Sequence, residues 1–264
     1  AGDPENAKKL IDTGVTGIAY ETVTSSDGSM PLLAPMSTIA GQLAFVVGSY
    51  HLLKHNKGKG VMIGHMDDMD PRVVTVIGAG VAGTQSILKA IDNKALVKVV
   101  DSSQSKLDDL KSKYGTENVE YILSSKDSIQ VSVNESDLVI GSVYVVGKEA
   151  PKVVTKDMLS SMNPGTVMVD VSIDQGGCFE TSKPTTHDSP TFLENEIVHY
   201  CVTNMPGAVP LTATEALNKV SLSYVKNLAN NGIQNALESD EHLRNGLNIL
   251  DGRIVHPGVK EALE

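Results

Sequence analysis

The chain has 264 residues, 41% hydrophobic and 20% charged, with a formal net charge of −10. That length and balance predict one large or two modest globular domains and exclude a chain disordered by composition. The acidic excess argues against a nucleic-acid-binding face, which needs clustered Lys and Arg, and no run of about 18 apolar residues offers a membrane span.

The start, Ala1 to Glu5, is acidic and polar, unlike a leader peptide. Cys178 and Cys201 form no C-x-x-C pair, so buried free thiols and a cytoplasmic address are expected. Residues 5–13 predict a short helix closed by Gly14, Gly17–Tyr20 a short strand, and Asp27-Gly28 a turn. From Ser37, the apolar residues Ile39, Leu43, Val46 or Val47, Tyr50 and Leu53 recur at helical spacing, and the polar run His55–Gly58 stops the helix. Ser37 suits the N-cap of that helix. His51 and His55, four apart, could share a face as metal ligands. No H-E-x-x-H accompanies them, and their place at a helix end suits a solvated or dipole-complementing role, so no metal is expected.

Val73 to Ile77 is an apolar and β-branched run that enters Gly78-Ala79-Gly80-Val81-Ala82-Gly83, followed by a mostly apolar helix to Ile91. A second β-branched run, Leu96–Val100, ends on Asp101. This is the strand–turn–helix–strand–acid order of a dinucleotide-binding unit. Gly78 allows the tight turn, Gly80 lets the backbone approach a pyrophosphate, and Gly83 lets the helix lie close to the sheet. Asp101 would accept hydrogen bonds from both adenine-ribose hydroxyls and repel a 2′-phosphate, which favours NAD over NADP. Asp101→Ala is then expected to weaken NAD binding and leave the fold intact. Further strands are expected at 119–122, 137–140, 166–170 and 198–202, with helices at 107–114 and 156–162. Such alternation implies an α/β fold with a parallel sheet covered on both faces. Thr212-x-x-Glu215 reads as a capping box for a long helix that carries Ala213, Ala216, Leu217, Val220, Tyr224 and Leu228 on one stripe and stops near Gly232.

In an open α/β sheet the ligand lies outside the carboxyl ends of the strands. The loops to watch are therefore Gly141–Tyr144, Asp174–Gly177 and Asn204–Gly207. Asp174 is either a positioned carboxylate or part of a surface turn. Asn204-Met205 either touches the nicotinamide or only turns the chain. His187 and His199 have no evident partner and read as structural.

Several of these stretches resemble a known family: Ala19-Tyr20-Glu21-Thr22-Val23, Pro31–Ser37 with Ala40-Gly41, Asp170–Gly177, Thr186–Thr191, and His199-Tyr200 through Asn204–Pro210. They look like the bacterial L-alanine dehydrogenases, in that family's order and over essentially the whole chain. The NAD-binding subunit of proton-translocating transhydrogenase shares the fold but lacks the Tyr-Glu-Thr-Val and Asn-Met-Pro-Gly-Ala-Val-Pro pattern. The resemblance implies a Rossmann-type doubly wound parallel sheet with remnants of a second, substrate domain. The expected boundaries are 1–36 (substrate-domain remnant), 37–204 (NAD-binding domain with its leading helix) and 205–264 (helical return to the substrate domain). It implies reversible, NAD-dependent deamination of L-alanine to pyruvate and ammonium, in a homo-oligomer. Carried over residue by residue, Gly78, Gly80, Val81 and Gly83 meet the pyrophosphate and Asp101 the adenine ribose. Ser37 also contacts the dinucleotide, Val143 lies beside the adenosine, Asn204 and Met205 line the cleft, and Asp174 stands by the reacting centre.

The match begins just downstream of the family's catalytic His, and nothing in Ala1–Glu21 replaces that His or the substrate-binding Arg and Lys. The cofactor half of the active site is therefore expected without the substrate-gripping half. An incomplete dehydrogenase, a non-catalytic NAD-binding or oligomerisation module, and a hydride-transferring relative with another substrate all remain open. Asp92-Asn93-Lys94 replaces the Gly-containing loop usual before the second strand, and Gly64–Asp70 is unusually acidic.

Overall fold

A computed structural model describes residues 4–145 and 149–263; Ala1–Asp3 of the acidic start lie outside the described residues. In chain order the elements are α1 (Pro4–Asp12), β1 (Gly17–Ile18), α2 (Ala34–His51), β2 (Val73–Ile77), α3 (Val81–Asp92), β3 (Leu96–Asp101), α4 (Gln104–Tyr114), β4 (Val119–Leu123) and α5 (Lys126–Glu135). There follow β5 (Leu138–Gly141), β6 (Val167–Asp170), β7 (Thr191–Glu194), β8 (Ile197–Tyr200), α6 (Pro210–Ser239), α7 (Glu241–Asn245), β9 (Leu247–Leu250), β10 (Arg253–Ile254) and α8 (Pro257–Leu263). Two compact units result, one from Ser37–Ala208 and one from Ala1–Met36 with Val209–Glu264.

The Ser37–Ala208 unit carries a seven-stranded sheet in the order β4-β3-β2-β5-β6-β8-β7. All pairings are parallel except the edge strand β7, which runs antiparallel to β8. Six strands thus follow the Rossmann order, and the chain reverses direction across the sheet between β2 and β5. Successive strand residues point to opposite faces. Val74, Val76, Leu138, Ile140, Val167 and Val169 join one core with Phe45 of α2, Ile87 of α3 and Leu107 of α4. Ile77, Val139 and Met168 join the other with Ile129 and Val133 of α5 and Phe179. Burial on both faces accounts for the continuous apolar runs of these strands, and the expected doubly wound α/β class holds.

The other unit has a small antiparallel sheet, β1-β9-β10, and a core of Val23, Leu32, Ala236, Leu237 and Leu243 against which Val220, Tyr224 and Leu228 of α6 pack. Among the described residues no helix is long and apolar enough to cross a membrane.

Several local expectations are corrected. Thr212 does not cap α6, because Pro210 with its preset φ already opens the helix and Val209 is the cap residue, without a side-chain bond. That helix bends at Gly232 (φ 73°, ψ 162°) and then continues to Ser239. The capping box lies instead at α5, where Ser125 and Ser128 bond reciprocally, a pairing without the usual Glu or Gln. Residues 156–161 form a 3-10 turn, and only Gly17–Ile18 of the first expected strand pairs. Ser37 does not open α2, which starts at Ala34. His51 is not solvated: it is 8% exposed, its ring lies 5.6 Å from that of Tyr200, and burial lowers its pKa toward the neutral form.

Lys94, in the loop before β3, has φ 58° and is exposed. A side chain held in the left-handed region costs about 1–2 kcal/mol, part of which the more flexible unfolded state of a glycine variant takes back. Lys94→Gly is expected to raise stability by about 0.5–1 kcal/mol in chemical denaturation.

Candidate functional site

The crevice outside the carboxyl ends of β2 and β5 is built on glycines. Gly78 follows β2 with φ 97°, and a Cβ there would lie 2.5 Å from the carbonyl oxygen of Ser142. Ser142 pins the same turn, its N–H donating to Ile77 O (2.8 Å) and its hydroxyl to Gly78 O (2.7 Å). A Cβ on Gly83 would lie 1.8 Å from Gly78 O, so α3 can approach the turn only without a side chain at that position. Gly80 differs: nothing lies within 4 Å of where its Cβ would be. It is the N-cap of α3 with no side-chain cap, and Val81 after it is 49% exposed. An open space therefore faces a helix start whose first N–H groups have no capping side chain, an arrangement suited to an anion.

Asp101 ends β3 at 8% exposure. Its Oδ2 accepts from Ala79 N–H (2.7 Å) and its Oδ1 from Ser103 N–H (2.8 Å). The carboxylate thus anchors the glycine turn, and the expectation that Asp101→Ala leaves the fold untouched is corrected. Removing it strands two backbone donors, at about 1–3 kcal/mol for such a group.

Gly41 of α2 lies against α3, where its Cβ would be 2.0 Å from Ala82 O; Ser86 donates to Gly41 O at 2.7 Å. Ser37 stands one turn earlier on the same face of α2.

Val143 follows β5, and its carbonyl accepts from the Ser172 hydroxyl at 2.8 Å. Asp174 lies on a 3-10 turn (Ile173–Gln175) after β6. Partial burial holds its carboxyl above the ordinary carboxylate value of 3.8, while the Asn204 N–H works the other way. The backbone N–H of Asn204, a residue with φ 53°, lies near that carboxyl. Met205 beside it is only 3% exposed, with its side chain packed in the core, so the expected lining of a cleft can involve its main chain and not its thioether.

The two histidines do have partners. His199 is fully buried between the Thr181 hydroxyl (2.8 Å) and Ile197 O (3.1 Å) and stacks on Phe192. Exposed His187 places Nε2 3.3 Å from Asn204 O. Sequence reasoning had no signal for that pairing, which spans 17 positions. Both cysteines are free and buried, and burial pushes the Cys201 thiol up to about 12.

The raised Asp174 pKa has a sign. Just above pH 3.8 the folded chain holds a proton there that the unfolded chain has released, so this group's contribution to stability falls as pH rises through that window. Asp174→Asn is expected to flatten that part of the stability–pH curve, read from melting points across the acidic range.

The reversed strand order, the glycine turn at the reversal and the acid at the end of the next strand define a Rossmann-type domain. The chain belongs to the alanine dehydrogenase/PNT family: residues 44–257 match the family described as "Alanine dehydrogenase/PNT, C-terminal domain". It is 47% identical over 262 residues to the alanine dehydrogenase of Halomonas elongata, covering 99% of this chain and 70% of that one. The alanine dehydrogenase of Mycolicibacterium smegmatis is 45% identical over 97% of this chain and 68% of its own length. Among solved structures, an L-alanine dehydrogenase at 44% identity superposes with a TM-score of 0.91 over 97% of this chain and 71% of that one. A transhydrogenase from Sinorhizobium meliloti at 21% identity gives 0.80 over 96% and 72%, a likeness of fold.

Proposed function

We propose that this chain binds NAD and acts in the reversible oxidative deamination of L-alanine, in which alanine, NAD and water give pyruvate, ammonium, NADH and a proton. The observation that carries the cofactor is the space at Gly80, which a Cβ would fill, in front of the uncapped start of α3. The residues fit a dinucleotide: Gly78, Gly80, Val81 and Gly83 meet the pyrophosphate, Asp101 holds the adenine ribose, and Ser37 and Val143 flank it. The carboxylate at 101 repels a 2′-phosphate, which selects NAD. Bound nicotinamide supplies the acceptor for the hydride that leaves the α-carbon of alanine.

The protein groups do the rest. Asp174, its pKa held above the ordinary carboxylate value, exchanges protons at the reacting centre. Asn204, whose N–H lies near that carboxyl, borders the nicotinamide with the main chain of Met205. Residues 1–36 and 209–264 are assigned to the substrate domain, and the working protein to a homo-oligomer acting on a small amino acid in the cytoplasm.

The test is NADH formation by the gene product that contains this sequence, supplied with NAD and L-alanine. Alanine-dependent turnover is the expected result. NAD binding in calorimetry without turnover would leave a cofactor-binding module. Turnover of another amino or hydroxy acid but not alanine would replace the substrate.

A further inference from the structure

The carboxylate of Asp170, at the end of β6, is fully buried and has no part in the reading above. Its Oδ1 accepts from Ser172 N–H (3.0 Å) and from the Cys178 thiol (3.5 Å). Its Oδ2 accepts from Cys178 N–H (2.8 Å), Phe179 N–H (3.2 Å) and the Ser182 hydroxyl (2.5 Å). These donors stand at the two feet of one loop. Ser172 opens it, Cys178 and Phe179 close it, and Asp174 lies between them. The loop is drawn in so closely that a Cβ on Gly177 would lie 2.7 Å from Oδ2, and Gly177 itself has φ 79°. Between the feet, the Lys152 ammonium donates to Gly176 O and to Gly177 O.

We propose that Asp170 is a positioning residue: its two oxygens clamp both feet of the 171–179 loop and so fix where Asp174, carried between them, stands. The inference rests on the reading that gives Asp174 the proton-transfer role. A carboxylate suits the task because both of its oxygens accept and neither donates. An amide in its place has one accepting oxygen. The Oδ2 side faces three donors, so an asparagine would turn its oxygen there and set its NH2 against Ser172 N–H. The rear foot would hold and the front foot would come free. A misplacement of about 1 Å at a reacting group lowers turnover by about 100-fold, so a loosened front foot reaches the chemistry without touching substrate or cofactor.

The experiment compares Asp170→Asn, Ser182→Ala and Gly177→Ala with the unaltered gene product. Far-UV circular dichroism reads folding, amide hydrogen exchange reads the 171–176 loop, and kcat is separated from the KM for NAD. Asp170→Asn is expected to raise loop exchange by about tenfold and lower kcat by about 100-fold, with KM for NAD changed less than about threefold. Ser182→Ala removes one donor but leaves both oxygens on the loop, so its loop protection and kcat should stay within about threefold of the unaltered protein. Gly177→Ala pushes the rear foot off Oδ2 and should share the high-exchange, low-kcat signature; it carries the test if Asp170→Asn fails to fold. The proposal is overturned if a folded Asp170→Asn or Gly177→Ala keeps normal loop exchange and kcat, or if Ser182→Ala loosens the loop as much as they do. Should the unaltered protein bind NAD yet make no NADH from alanine, the alanine reading falls, while the exchange data still decide the clamp.

Discussion

Gly83→Ala is expected to destabilise the chain by about 3 kcal/mol, lowering the melting point by about 6–12 °C, and to weaken NAD binding with it. Helix propensity alone would favour alanine inside α3 by about 1 kcal/mol. Against that stands a Cβ 1.8 Å from Gly78 O, 2.9 Å from Gly78 C and 2.6 Å from Ser142 Oγ. The first two are backbone atoms in the tight turn, which cannot swing aside as a side-chain end can. The helix must therefore withdraw from the sheet, and its N-terminus withdraws from the phosphate position.

Gly80→Ala makes the contrast. Gly80 has φ −74° and ψ −164°, a conformation open to alanine, and nothing lies within 4 Å of the added methyl. Stability should change by less than about 0.5 kcal/mol, while NAD affinity falls by at least about tenfold, because the methyl occupies the space in front of the helix start. Thermal melts paired with calorimetry separate the two variants. A Gly80→Ala protein with normal NAD affinity would place the phosphates somewhere else.

Asp101→Asn is expected to lower NAD affinity by about 10–100-fold, the worth of about 1.5–3 kcal/mol in charge-assisted hydrogen bonds. Stability should fall as well, since one amide N–H must face either Ala79 N–H or Ser103 N–H, both now paired to the carboxylate. Loss of fold integrity would weaken NAD and NADP alike. Loss of the negative charge does something further: it removes repulsion from a 2′-phosphate, so NADP affinity should fall less than NAD affinity. The compressed NAD-to-NADP ratio is the decisive measurement, and an unchanged ratio would reduce Asp101 to an anchor of the turn.

Much of the fold was legible in advance. Val73–Gly83 and Leu96–Asp101 are local patterns, each with the next element within a few residues, and burial on both faces makes such strands visible as apolar runs. The helix α5 was missed because its cap uses Ser128 in place of an acid, and its buried apolar positions, Ile129 and Val133, are few. Thr212–Glu215 misled for the opposite reason: the spacing was right, but Pro210 had already started the helix. At the candidate site, Asp101 and Asp174 were nameable from their place after strands. Their partners were not, since Ala79 lies 22 positions from Asp101.

The sequence by itself determined the alternating α/β plan, the glycine turn with its acid, and the family, because these depend on residue types at short, fixed spacings. Only the tertiary structure decided that Asp101 grips the turn, that Met205 and His51 face inward, that His187 reaches Asn204, and that Asp170 gathers five donors. A buried polar group is tolerated only where the fold brings it partners, and which partners arrive depends on how distant segments pack.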